Sequence, residues 1–129
     1  MKHLLNLLAA VALPAYQRYI NRAAYTEVIA QANPIKSAIS TCLDVQADIK
    51  KCSSEADLGV KSPAATNAFK KLDIAADTGV ITMTPNDYKG IKEADTCVMT
   101  PTIPANVTPV SITKWEYSGK CVDLGYVKN

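Results

Sequence analysis

Histidine occurs once in this sequence, at His3, and phenylalanine and tryptophan once each, at Phe69 and Trp115. A Ser/His/Asp or Cys/His catalytic set, or a multi-histidine metal site, would have to be built around that one imidazole, so those enzyme classes are close to excluded. An excess of one charge is also lacking. The 14 Lys and Arg against 12 Asp and Glu leave a net charge of +2, too even a balance to imply nucleic-acid or membrane-surface binding by charge alone. No CxxC occurs, and no histidine lies near a cysteine, which removes the usual zinc and thioredoxin-type patterns. No internal repeat or low-complexity tract appears. The most apolar run, Leu4–Leu13 (LLNLLAAVAL), is ten residues broken by Asn6, whereas a bilayer-spanning helix needs about 20.

What is present points to one small folded domain. The chain has 129 residues, 48% of them hydrophobic, which is far from a disordered composition. Aromatics are sparse at 6%, so the core must rest on Ala, Val, Ile and Leu. The four cysteines, Cys42, Cys52, Cys97 and Cys121, read as two disulfides made in an oxidising compartment. Four cysteines allow three pairings. The sequential one, Cys42–Cys52 with Cys97–Cys121, closes the shortest loops and is favoured; buried free thiols are the competing reading.

Glycine is missing from residues 1–49, which are rich in Ala, Leu and Ile, while all five glycines fall in residues 53–129 with many Thr, Val and Ser. Helix first and sheet second is an α+β arrangement. Ala24, Val28, Ile35, Ile39 and Cys42 follow helical spacing, with Arg18, Arg22, Glu27, Lys36 and Asp44 suited to the opposite face. A helix from about Leu4 to Ile49 would be on the order of 65–70 Å long at ~1.5 Å per residue, more than a domain of this size can cover, so one end must project. Pro14 and Pro34 should each bend or loosen it, and the apolar period continuing across Asn33–Pro34 favours a kink there over a stop.

The division expected along the chain is a long helix over residues 1–49, an intervening loop over 50–78, and an antiparallel sheet with a disulfide-bounded C-terminal region over 79–129. Within the helix, residues 1–13 are apolar and 14–49 amphipathic. A short helix is predicted at Pro63–Leu72, with Ser62 as its cap and Pro63 at its first position. Strands are predicted at Gly79–Thr84, Thr96–Thr100 and Val110–Tyr117, with turns at Asn86–Gly90 and Ser118–Gly119. The stretch Cys121–Val127 would be tied to the second of these strands by Cys97.

These features in this order resemble the type IV pilins. The most specific stretch is Leu7–Gln17, LLAAVALPAYQ, similar to the second half of the family's N-terminal hydrophobic segment running into a Pro-Ala-Tyr signature. Asn33-Pro34-Ile35-Lys36, Gly79-Val-Ile-Thr-Met-Thr, Ile112-Thr-Lys-Trp115 and Cys121 continue the resemblance over nearly the whole chain from Leu7 onward. It implies the pilin fold, a long N-terminal α-helix packed on an antiparallel sheet of three to four strands with two disulfides. One departure stands out. Family members begin, after processing, with an aromatic residue and a glutamate a few residues in, behind a basic leader ending in Gly. Here Met1–Asn6 (MKHLLN) occupies that place, and no Glu precedes Glu27. The expectation is a shortened or replaced N-terminal segment. A rival reading takes Lys2, the apolar run and Ala10-Val11-Ala12 as a secretory signal peptide, leaving a soluble secreted domain that starts near Leu13.

The function implied by the resemblance is that of a structural subunit of a pilus filament, not an enzyme, with no cofactor and no metal. Full burial of one Leu or Val side chain is worth about 1.5–3 kcal/mol, so Leu4, Leu5, Leu7, Leu8, Val11 and Leu13 together would drive association strongly. Ala9, Ala10 and Ala12 would let neighbouring helices approach closely, with Pro14 and Tyr16 completing the assembly interface. A head-to-tail contact whose rotation does not close gives a helical filament. The partners expected are other pilin subunits, the inner membrane before assembly, and host or abiotic surfaces, which by resemblance would meet the outward segments Lys50–Thr78 and Thr100–Val122. Two further readings predict different partners. One is the soluble binding domain just described. The other is a DNA-binding accessory pilin using Lys50, Lys51, Lys70 and Lys71, although the basic stripe interleaved with aromatics that such binding requires is not visible. Asn106-Val107-Thr108 matches a glycosylation acceptor by pattern.

Overall fold

The computed structural model describes the backbone of residues 2–129 and the side chains of residues 14–129. A first helix, α1 (Lys2–Ala30), contains Pro14 without ending there. At Gln31 and Ala32 the helix tightens: their N–H groups donate to the carbonyls three residues back, Val28 at 3.2 Å and Ile29 at 3.1 Å. A second helix, α2 (Asn33–Gln46), then begins with Pro34 in its first turn. Pro34 has no N–H to give to Ala30, so the chain replaces one stretch of α-helical bonding with a tighter turn and resumes. The expected kink is therefore a short break between two helices. The apolar face runs straight across it through Ala24, Tyr25, Val28, Ala32, Ile35, Ile39 and Leu43, all buried.

Ala47 ends α2 in the left-handed conformation, at φ 54°, two residues before the boundary expected at Ile49. A turn of 3-10 helix (Ile49–Lys51) follows. The one-turn helix α3 (Glu55–Leu58) starts where Ser54 Oγ accepts from the Asp57 N–H at 3.0 Å. Gly59 ends it at φ 67°.

The predicted helix at Pro63–Leu72 does not form. Residues Phe69–Ile74 are instead strand β1, so the sheet begins inside the segment read as loop. The local cause is a bulge. Phe69 pairs with Pro85 but Lys71 pairs with Thr84, so two residues of β1 face one of its partner. Without that extra residue Phe69 and Leu72, three apart, would point to opposite faces; with it both reach the core and both are buried. Phe69 and Leu72 thus carry a helix-like spacing inside a strand.

Strands β2 (Ile81–Pro85), β3 (Cys97–Thr102) and β4 (Lys114–Gly119) complete an antiparallel meander in the order β1-β2-β3-β4. All three strands expected from the sequence are present, with bounds shifted by one to four residues. The registers align two rows on one face: Leu72, Met83, Cys97 and Gly119, and beside it Ile74, Ile81, Met99 and Tyr117. These rows are the floor on which the buried stripe of α1 and α2 lies, in one continuous core. The short helix α4 (Lys120–Asp123) follows β4. This is the α+β architecture of a long N-terminal helix against an antiparallel sheet.

Candidate functional site

Two disulfides hold the domain behind the helix. Cys42 of α2 is bonded to Cys52, ten positions on, and Cys97 of β3 to Cys121 of α4, twenty-four on. The sequential pairing expected from loop length is the one present, and no cysteine is free. The first bridge fastens the end of α2 to the loop after it. The second fastens the segment after the sheet back onto a central strand.

Among its described side chains, α1 is buried against the domain only from Ala24 onward. Among the described side chains of α1, Pro14, Ala15, Tyr16, Gln17, Arg18 and Tyr19 are all exposed, with Tyr16 at 63% and Tyr19 at 71%; burial begins with Ala24 and Tyr25. An α-helix rises ~1.5 Å per residue, so α1, with its 29 residues, carries several turns N-terminal to its first described core contact. Of the proposed assembly residues, Pro14 and Tyr16 are therefore on the surface. Leu4, Leu5, Leu7, Leu8, Ala9, Ala10, Val11, Ala12 and Leu13 lie outside the residues whose side chains are described. Among the described residues, no helix is long and apolar enough to cross a membrane.

Beside this exposed stretch, Tyr19, Ile20, Ala23 and Ala24 form a shallow groove with Tyr88 and Lys89 of the β2–β3 connection. That connection is tightly built. Asp87 Oδ1 accepts from the Glu93 N–H at 2.8 Å and Asp95 Oδ2 from the Lys92 N–H at 2.9 Å, while Tyr88 and Ile91 form a two-residue bridge. Gly90, at φ 90°, presses on α1 so closely that a Cβ there would lie 2.1 Å from the Asn21 side-chain amide. Asn21, with its amide turned to suit its neighbours, donates to the Lys89 carbonyl at 2.8 Å. These contacts set where α1 leaves the domain. Gln17, Asn21 and Gly90 were not singled out from the sequence; the only signal was the turn composition of Asn86–Gly90.

The titratable groups tell of packing. Burial pushes the Tyr25 phenol well above the ordinary tyrosine range, with the Asp95 charge and Tyr126 adding to it. Burial and then Asp95 raise Tyr126. The hydroxyl and backbone N–H of Ser62 hold Glu55 below its usual value. Among the described residues no three His, Cys, Asp or Glu side chains gather as metal ligands would. Lys70 and Lys71 each sit beside a carboxylate, Glu93 and Asp73.

No family model matches the chain. It is 27% identical over 81 residues to the "Prepilin peptidase-dependent protein D" of Escherichia coli (strain K12), an alignment covering 63% of this chain and 53% of that protein. The chain is a distant relative of a prepilin peptidase-dependent protein. It spans about half the length of the curated relative it matches. The helix packed on an antiparallel sheet agrees with a pilin-like fold.

Proposed function

We propose that this chain is a structural subunit of a type IV pilus filament and has no catalytic role. The observation that carries the reading is the division of α1: a C-terminal half locked into the core, and a surface stretch from Pro14 to Tyr19 that joins the apolar sequence Leu4–Leu13. The similarity to a prepilin peptidase-dependent protein supports it. Copies of such a helix lower their free energy by packing side by side out of water. A repeated head-to-tail contact of that kind grows a filament. In that assembly the helices lie inside and the sheet, with the segments around 50–78 and 100–122, faces outward, where adhesion, motility or DNA uptake would act. Before assembly the same apolar residues would rest in the inner membrane. Two disulfides suit a domain exposed outside the cell.

Sedimentation velocity of the full chain with and without detergent tests this. Large species in plain buffer that detergent disperses, and that vanish when residues 1–13 are removed, are the expected result. A single monomer of the full chain under both conditions overturns the reading.

A further inference from the structure

The turns of α1 that leave the core carry cations and no anion. No Asp or Glu precedes Glu27 in the chain. Arg18 and Arg22, four positions apart and hence on one side of the helix, are both exposed. Two further exposed cations flank this stretch. Lys128 lines a groove with Arg22, Val122, Tyr126 and Val127, and Lys89 lines the shallow groove with Tyr19 and Ile20.

Both flanking segments are fixed against α1. The N–H groups of Tyr126 and Val127 donate to the Cys121 carbonyl at 2.8 and 3.1 Å, and the Tyr126 ring stacks on Tyr25 with centroids 4.9 Å apart. That holds the segment bearing Lys128 beside the helix. Lys89 precedes Gly90, which abuts Asn21 of α1, and its Nζ rests over the Tyr88 ring, 5.3 Å from the centroid.

No carboxylate neutralises these four cations. Among the described residues the ion pairs are Lys70–Glu93, Lys71–Asp73 and Lys114–Glu116. In the β2–β3 connection, Asp87 and Asp95 accept from backbone N–H groups of their own loop, and Glu93 pairs with Lys70. Glu27 is the one side-chain carboxylate lining either groove. It stands five positions beyond Arg22, about 7.5 Å farther from the apolar run at ~1.5 Å per residue.

The level of the four cations says what they meet. With Leu4–Leu13 in the hydrocarbon of a bilayer, the next turns, from Pro14 to Arg22, fall among the headgroups. That span carries the exposed Tyr16 and Tyr19, and tyrosine beside long basic side chains suits a membrane–water boundary. A ten-residue run reaches only about 15 Å into a core of about 30 Å, and a basic patch is a general second anchor for a short apolar one. We propose that Arg18, Arg22, Lys89 and Lys128 form a collar that binds the anionic phospholipid headgroups of a bilayer surface. The collar presupposes the membrane stage proposed above and adds to it a class of lipid.

The full chain is dialysed out of detergent among equal amounts of two vesicles of different density. One is phosphatidylcholine alone, the other phosphatidylcholine with phosphatidylglycerol, and flotation then measures the protein in each. The collar predicts a ratio of anionic to neutral of more than about tenfold at low salt, falling toward one at high salt. Arg22→Gln and Lys128→Gln should each lower that ratio about fivefold. Lys61→Gln removes the same charge next to Val60, which lies beside the far end of α2, and should leave the ratio unchanged. An equal share in the two vesicles overturns the proposal, as does a ratio unchanged in Arg22→Gln and Lys128→Gln. Recovery in neither vesicle overturns it together with the membrane stage, while the filament reading is judged separately by sedimentation.

Discussion

The Tyr25 hydroxyl donates a hydrogen bond to the backbone carbonyl of Asp95 at 2.6 Å, seventy positions away in the chain. Tyr25 itself is fully buried. The bond thus fastens α1 to the loop that precedes β3, at the depth where the helix enters the core. Tyr25→Phe keeps the ring and its stack on Tyr126 but leaves the Asp95 carbonyl without this donor. A loss of about 1–2 kcal/mol is expected, read from the midpoint of urea unfolding at unchanged slope.

The same residue sets a pH dependence. Burial raises the folded-state pKa of Tyr25 above that of the unfolded chain. The folded state then holds its proton more tightly, so the stability this contributes is complete below the ordinary tyrosine range, near 10, and is lost as pH rises beyond it. Unfolding free energy should decline on titration above that range, and Tyr25→Phe should flatten the decline. An equal slope in both proteins would contradict the assignment.

Phe69 and Lys70 are adjacent but sit on opposite sides of the bulge's effect. Phe69 is fully buried, whereas Lys70 is exposed and paired with Glu93. Phe69→Ala should cost about 3–5 kcal/mol, and Lys70→Ala less than about 1 kcal/mol, as usual for an exposed ion pair. Thermal melts of the two variants provide the comparison.

The Cys97–Cys121 bridge holds α4, and through it Tyr126, against the sheet and α1. Replacing both cysteines by Ala should cost about 2–5 kcal/mol. Loss of protection should concentrate in residues 120–129, seen by hydrogen exchange. Peptide mapping without reductant should return only the Cys42–Cys52 and Cys97–Cys121 linked pairs.

Much of this architecture was legible because its signals are local. The glycine-free start with its apolar spacing marked the helices, and Thr-flanked apolar alternation marked β2 and β3. Loop lengths favoured the correct cysteine pairing among three. β1 was hidden because its bulge displaces Phe69 and Leu72 from alternation, while Ser62 and Pro63 offered the chemistry of a helix start. The two prolines behave differently. Pro14 lies inside an unbroken helix, while Pro34 belongs to a change of hydrogen bonding two residues before it. The long-range contacts left no pattern at all: nothing in the sequence near Tyr25 speaks of Asp95, nor near Tyr117 of Asn129, whose side-chain amide accepts from the Tyr117 N–H and donates to its C=O. Those pairings exist only once the meander is closed. Of the residues proposed for assembly, the sequence marked the apolar run itself, and the described structure adds that Pro14 and Tyr16, at its C-terminal end, lie on the surface.

Electron microscopy of the purified full chain in detergent-free buffer, beside the same chain lacking residues 1–13, tests the filament reading most directly. Helical polymers from the full chain and isolated particles from the shortened one are predicted. Dispersed particles from both, or polymers from both, would contradict it.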